Sequence, residues 1–233
     1  MPSPSVVVVR ILTDHFFARR GLAPCGRGGP ASAPPARASD DDINAAMARG
    51  GHVRLDAARA TPRGRRDWVV VLVLAPGGRP AQYSPDLRKL VDAAVAEAGA
   101  RLDELIIVAE REFFRRAKLT ELVSEWQRAA PGGPDEAGVA PIIGAYPFTT
   151  FCHVVPDHVS VQPHRVMAAG EVAEHLRVLR LARSDLPVIL SDDPPVVWAG
   201  GREGQVVEIT RDSQTALMSY YYRRIERAAI GPR

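Results

Sequence analysis

Valines and leucines follow one another without a polar break from Trp68 to Leu74, and Pro76 and Gly77 close the run. Such a stretch predicts a strand covered on both faces. Ser84 predicts a helix cap and Pro85 a first helical position, after which Leu87, Leu90, Val91, Ala94, Val95 and Ala98 recur at helical spacing up to Gly99. Leu105 to Ala109 predicts a second buried strand, and strand, helix, strand in that order implies a parallel pair with a right-handed crossover. A further amphipathic helix is predicted over Phe113 to Trp126, with Leu119, Leu122, Val123 and Trp126 on one stripe and the two phenylalanines packing just before it. The first element reads two ways. Val6 to Val9 favour a strand by propensity, whereas Leu12, Phe16 and Arg19–Arg20 before Gly21 fit a helix that ends at a glycine.

Two breaks interrupt this pattern. Gly21 to Ser39 is crowded with Gly, Pro, Ala and Ser and has no hydrophobic period, which predicts a mobile insertion. Ala130 to Ala140 carries three glycines and two prolines, and places a domain boundary near residue 145, dividing the chain into 1–144 and 145–233. In the second part Ala169 to Leu181 predicts a helix with Val172, Leu176 and Leu179 on one stripe. Gln205 to Thr210 and Leu217 to Tyr222 predict strands joined by a polar turn around Asp212 and Ser213. The fold class read from the chain is an α/β domain followed by a small α+β domain, and no repeat of solenoid length is present.

Composition narrows the function classes. At 46% hydrophobic and 24% charged residues, the 233-residue chain has the make-up of a soluble globular protein. Lys plus Arg number 30 against 27 Asp plus Glu, a net charge of +3, too small for a tail-driven nucleic-acid binder. That excess sits wholly before residue 150, where 20 basic residues face 17 acidic ones; the remainder carries 10 of each. No run reaches the ~20 apolar residues of a bilayer crossing, and the apolar start lacks the basic flank of a secretory signal. Cys25 and Cys152, far apart, read as reduced thiols of an intracellular protein.

Candidate chemistry is sparse. Cys152, His153, His158 and His164 lack the paired spacing of a zinc site, and the expectation is a buried Cys152 with His158 and His164 on a polar surface. No nucleophile elbow occurs, and Cys152 and His153 would diverge on a strand. Asp40 to Asp42 read as a solvated helix start and Asp193–Pro194 as a turn. Gly200, Gly201 and Gly204 look like a dinucleotide loop, but a strand follows them where that motif needs a helix, so a tight turn between strands is expected. Basic clusters at Arg63, Arg65 and Arg66, and at Arg111, Arg115, Arg116 and Lys118, fit either a solvated face or weak, salt-sensitive contact with a nucleic-acid backbone.

The string HVVPDHV at 153–159, followed by DLPVILSDDPPVVWAGGREGQVVEITRDSQTALMSYYYRRI at 185–225, closely resembles the assembly domain of the fifth subunit shared by the eukaryotic nuclear RNA polymerases, which has a counterpart in archaea. The family's Val-Pro-x-His stands at Val155, Pro156 and His158, its Leu-Pro-x-Ile at Leu186, Pro187 and Ile189, and its Asp-Pro at Asp193 and Pro194. Its glycines and following strand stand at Gly200, Gly204, Val206 and Ile209. Its Arg-x-Ser-x-Thr-Ala stands at Arg211, Ser213, Thr215 and Ala216, and its Tyr-Arg at Tyr222 and Arg223. Three positions depart: Val197 and Met218 replace basic residues, and Leu217 replaces a glycine. The earlier part resembles the family's jaw at Ile11 to Leu22, Asp67 to Leu74 and Leu105 to Lys118, with 21–39 and 130–140 as insertions. Archaeal members lack that jaw, so the resemblance is to the eukaryotic and large-DNA-virus form.

The resemblance implies a restriction-endonuclease-like jaw of mixed sheet and an α+β assembly domain that docks on the largest polymerase subunit, with no catalytic residue, metal or cofactor. Glu110, Arg111 and Glu112 lack the lysine that a nuclease site needs two residues after Glu110. The jaw residues implied to touch downstream DNA phosphates are Arg111, Arg115, Arg116 and Lys118. The implied subunit-contact residues are Pro156, His158, Asp193, Pro194, Arg211, Ser213, Thr215, Tyr222 and Arg223. For Arg211 and Arg223, bonds to a partner and internal pairing with Asp193 or Glu208 are both open. Trp198, Tyr220, Tyr221 and Tyr222 read as core, with one left as an interface anchor. The implied location is intracellular, the nucleus or, for a viral polymerase, the virion or viral factory. A divergent metal-dependent nuclease using Asp67 with Glu110 or Glu112, and a free-standing transcription regulator that binds polymerase, are the alternatives.

Overall fold

The apolar run at Trp68 to Leu74 lies in strand β3 (Arg66–Leu74), and Trp68 to Leu74 are all buried. The structure, a computed structural model, describes residues 2–27, 29, 37–63, 66–76, 80–116, 119–129, 141–213 and 217–227. Two compact units divide between His153 and Val154.

The first unit opens with a helix, which settles the two readings of the first element. Ser3 caps α1 (Pro4–Ile11), Pro4 takes a first helical position, and a π-helical stretch (Leu12–Phe16) leads into α2 (Phe17–Arg19). Tertiary burial of Val6, Val8, Val9, Leu12, Phe16 and Phe17 outweighs the β propensity of the valines. Gly21, at φ +63°, closes the helix, and β1 (Leu22–Pro24) follows directly. The expectation of a mobile insertion from Gly21 is therefore corrected at its start. Leu22–Pro24 pairs antiparallel with β2 (His52–Arg63), the Cys25 N–H donates to the Asp56 carbonyl, and Cys25 is buried. Residues 28 and 30–36 lie outside the described residues. Helix α3 (Asp40–Gly50) begins in a capping box in which Ser39 and Asp42 exchange hydrogen bonds, and the three aspartates at its start are exposed.

β2 and β3 form an antiparallel pair, and β4 (Leu102–Ala109) and β5 (Ile142–Pro147) join in parallel, giving the order β1-β2-β3-β4-β5. The crossover from β3 to β4 is α4 (Pro80–Ala98), which starts five residues before the expected Pro85. The expected single helix from Phe113 is two, α5 (Arg111–Arg116) and α6 (Leu119–Ala129). Trp68, Val70, Leu72 and Leu74 face α4 and the α6 stripe of Leu119, Leu122, Val123 and Trp126. The alternate set Val69, Val71 and Val73 turns to the other face of the sheet, as the two-residue period requires.

Strand β4 begins three residues earlier than its apolar run because Asp103 and Glu104 are buried in it. Asp103 accepts two hydrogen bonds from Arg59, and Glu104 pairs with Arg20. Buried carboxylates persist only when paired, and these cations lie 44 and 84 residues away in sequence. The Gln127 amide holds the start of β5: its Nε2 donates to the Pro141 carbonyl and its Oε1 accepts from the Ile143 N–H, each at 2.6 Å. Because β5 completes the first sheet, the first unit runs past the expected boundary at 144/145 to His153.

In the second unit, β6 (His164–Val166), β7 (Val188–Leu190), β8 (Val206–Ser213) and β9 (Leu217–Glu226) form a sheet in the order β6-β8-β9-β7. β8 and β9 are longer than expected: Asp212 and Ser213 are ladder residues opposite Met218 and Leu217, so the chain reverses after them. One face packs Val207, Ile209 and Ile225 against Val196 of α8 (Pro194–Ala199). The opposite face packs Val206 and Tyr222 with Val172 and Leu176 of α7 (Ala169–Leu179). The helix ends at Leu179, with Arg180 in the left-handed region, and Leu179 is 49% exposed rather than on the buried stripe.

Asp193 is the N-terminal flanking residue of α8, not part of a free turn, and Pro194 and Pro195 fit the first helical positions. Gly200 ends α8 at φ +72°, so the glycine cluster joins a helix to β8 rather than two strands. A side chain at Gly201 would place Cβ 2.6 Å from Ile225 Cδ1 and 2.8 Å from Val196 Cγ1, which explains the second glycine by close packing.

Candidate functional site

The alternation of β8 and β9 decides which expected contact residues share a surface. Ile209, Arg211, Tyr221 and Arg223 project to one face, where Ile209 faces Tyr221 across the ladder and Arg211 reaches diagonally to it. The Arg211 guanidinium lies 4.6 Å from the Tyr221 ring centre, a cation–π contact. Arg223 donates to the Val188 carbonyl at 3.2 Å. Beyond the apolar contact with α8, this face opens into a recess of about 260 Å³ in which Asp193, Arg211, Arg223 and His164 meet Ile189 and Pro195.

Charge in the recess is unevenly balanced. Burial pushes the Asp193 carboxyl above its ordinary range, aided by Asp192 and opposed by His164 and Arg223. Among the described residues, neither Arg211 nor Arg223 comes within salt-bridge distance of a carboxylate, and the Arg211 Nε is buried with no acceptor. Internal pairing of these arginines with Glu208 is ruled out by Glu208 itself, which projects to the opposite face and accepts from Arg165 at 3.1 Å.

The other expected contact residues scatter. Pro156 lies in a 3-10 turn (Val155–Asp157), and His158 is exposed with its Nδ1 accepting from the Ser160 N–H. Pro194 is exposed. Tyr222 is on the α7 face, its ring centre 3.8 Å from that of His175, and burial with the neighbouring Glu208 raises its hydroxyl pKa. Ser213 ends β8, and Thr215 lies outside the described residues. Trp198 is core as expected, but Tyr220 and Tyr221 are both about half exposed, so two aromatics and not one are left on the surface. Val197 is buried and offers no contact, whereas Leu217 and Met218 are 89% and 52% exposed.

In the first unit Arg111 is exposed at the start of α5, directly after the end of β4. Arg115 and Arg116 follow on the same helix, and Lys118 lies outside the described residues. The two carboxylates of the nuclease alternative do not meet. Asp67 precedes Trp68, which pairs with Leu102 at the start of β4, while Glu110 and Glu112 follow the end of that strand. At about 3.3 Å per residue the parallel strands separate them by more than 20 Å. Both Asp67 oxygens accept from Arg101, at 3.0 and 2.6 Å.

Cys152 is exposed rather than buried, in a bend where its sulfur lies 3.3 Å from His153 Nδ1; neighbours that would diverge on a strand converge in a bend. Among the described residues no three His, Cys, Asp or Glu side chains gather as metal ligands, and no helix is long and apolar enough to cross a membrane. Sequence reasoning missed Tyr221 as the support for Arg211; the alternation of the strand beginning at Leu217 carried the signal that puts it there.

Residues 153–225 match the family described as RNA polymerase Rpb5, C-terminal domain. The chain is similar to the DNA-directed RNA polymerase RPB5 homolog of African swine fever virus (isolate Tick/Malawi/Lil 20-1/1983), with 28% identity over 162 residues, covering 70% of this chain and 75% of that one. It is 45% identical over 69 residues to the DNA-directed RNA polymerase subunit Rpo5 of Thermococcus kodakarensis, covering 30% of this chain and 84% of the archaeal one. Rpo5 of Thermococcus celer gives 44% over 68 residues.

Proposed function

The chain belongs to the RNA polymerase Rpb5 family, which includes the archaeal Rpo5, and on that premise we propose that it is a non-catalytic subunit of a multisubunit DNA-directed RNA polymerase. The observation that carries the reading is the 45% identity to the archaeal protein over 69 residues. The second unit docks on the largest polymerase subunit, and the recess bearing Asp193, Arg211 and Arg223 is the part of its surface best suited to a polar contact.

The first unit forms part of the jaw around downstream duplex DNA. The similarity to the viral relative extends over 162 residues, more than the second unit contains, and so reaches into the first. An antiparallel β1-β2-β3 meander extended by parallel β4 and β5, after an N-terminal helix, supports the mixed sheet of a restriction-endonuclease-like fold. Arg111, with Arg115, Arg116 and Lys118, supplies phosphate-neutralising charge without reading bases. The separation of Asp67 from Glu110 argues against metal-dependent cleavage. The polymerase works in the nucleus or, for a large DNA virus, in the virion or viral factory; the African swine fever virus relatives favour the viral form.

Quantitative mass spectrometry of a tagged copy purified from its native source tests the reading. A core subunit recovers the two large polymerase chains at one to one, a free-standing regulator recovers them far below that ratio, and recovery of the chain alone overturns the proposal. In the recovered polymerase, reversing Arg111, Arg115 and Arg116 to glutamate lowers DNA affinity evenly across sequences and flattens its salt dependence by roughly one unit of log–log slope for each phosphate no longer neutralised.

A further inference from the structure

Among the described residues, Arg211 is the cation of the recess that no neighbouring carboxylate balances. Arg223 shares its surroundings with Asp193, whereas Arg211 stacks on Tyr221 and its Nε is buried without an acceptor. A guanidinium held 4.6 Å from a ring centre is confined by the cation–π contact, and its fork of N–H donors matches a planar carboxylate. Val161, Ile189, Pro195 and Ile209 form the apolar part of the recess, opposite a polar part that includes Asp193 and Arg223, and Tyr221 stands half-exposed on the same face of the sheet. A small hydrated anion gains nothing from such walls; a carboxylate on a polypeptide buries its carbon stem and backbone against them. The volume of about 260 Å³ accommodates one acidic side chain with part of its main chain.

From this juxtaposition we infer that the recess receives an aspartate or glutamate side chain of the protein partner, bound by Arg211 over Tyr221. The inference rests on the reading of the chain as a polymerase subunit and names the chemistry of that contact.

The test uses the full chain in its polymerase. Arg211→Glu lowers recovery of the large polymerase subunits at least tenfold relative to wild type, while Arg211→Lys, which keeps the charge and loses the planar fork, recovers them at an intermediate level. Arg211→Lys also permits a direct readout. The chain has only two lysines, Lys89 and Lys118, so an added amine at 211 is unambiguous. A zero-length carbodiimide condenses that amine with a touching carboxylate, forming an amide as the carbodiimide takes up water to become a urea. Peptide mapping then finds position 211 joined to an Asp or Glu of a copurifying subunit. The inference is overturned if Arg211→Glu assembles as well as wild type. It is overturned equally if Arg211→Lys assembles without any cross-link from 211, or if recovery is lost on nuclease treatment, which assigns the recess to nucleic-acid phosphate. Should Arg211→Glu fail to fold, the lysine cross-link decides alone. Failure of the wild-type chain to recover polymerase overturns the subunit reading itself, a result distinct from these.

Discussion

Arg20 and Glu104 meet at 2.7 Å with their side chains 2% and 5% exposed, joining the end of the N-terminal helix to β4 of the first sheet. Burial by itself lowers the arginine's pKa, but the adjacent carboxylate more than offsets it, so the guanidinium stays charged. Its Nε and Nη1 find no acceptor, and the Phe16 ring lies 5.1 Å away. Glu104→Gln strands a buried cation and destabilises the chain by about 3–5 kcal/mol. The double change Arg20→Met with Glu104→Leu recovers most of that loss, because a buried pair replaced by apolar side chains leaves no unpaired charge. Denaturant titration of the two variants checks both; equal losses would contradict the account.

Leu217 adopts φ +60° with its side chain 89% exposed, at the position where the resemblance has glycine. A left-handed backbone costs a branched residue about 1–2 kcal/mol, and the extra freedom of glycine in the unfolded chain returns about 0.5–1. Leu217→Gly therefore raises stability by about 0.5–1 kcal/mol in the isolated chain. A lower melting temperature for the variant would show that the exposed leucine makes a contact that this argument ignores.

The two thiols differ in reactivity. Burial, together with the carboxylates of Asp56 and Asp67, pushes the Cys25 thiol up to about 11, whereas Cys152 is exposed. At pH 8 an alkylating reagent modifies Cys152 in the native protein and Cys25 only after denaturation, since the thiolate is the reactive form. Mass spectrometry reads one modification per native chain and two per unfolded chain; rapid double modification of the native protein would refute this.

Asp193 links stability to pH. Its carboxyl pKa is raised on folding, mainly by burial, so the stability its neutral form contributes is present at low pH and is lost as pH rises through the folded pKa. Asp193→Asn, which cannot ionise and still suits a helix start, equals or exceeds wild type at pH 7, and the two converge as pH falls through about 4. An asparagine variant less stable at pH 7, with the gap widening from pH 4 upward, would reverse the sign.

By itself the sequence determined the elements whose signal is local. The valine run of β3, the α4 and α6 stripes, the α7 start and the strands flanking residues 214–216 follow from side-chain period and propensity, and the ordered matches from Val155 to Arg223 identified the family. Only the tertiary structure decided what long-range pairing controls. Asp103 and Glu104 fall outside the strand expected from Leu105 until Arg59 and Arg20 reach them from far along the chain, and Leu22–Pro24 looks like loop until β2 supplies its partner strand. The candidate site divides in the same way. Asp193, Arg211 and Arg223 were all visible as residues, but their meeting depends on strand register and on α8 packing against the odd-numbered face, while Tyr222, one residue from Arg223, turns to the opposite side. A two-residue period fixes that alternation; which face meets which helix is set by burial of the whole sheet, a property of the folded unit and not of any short segment.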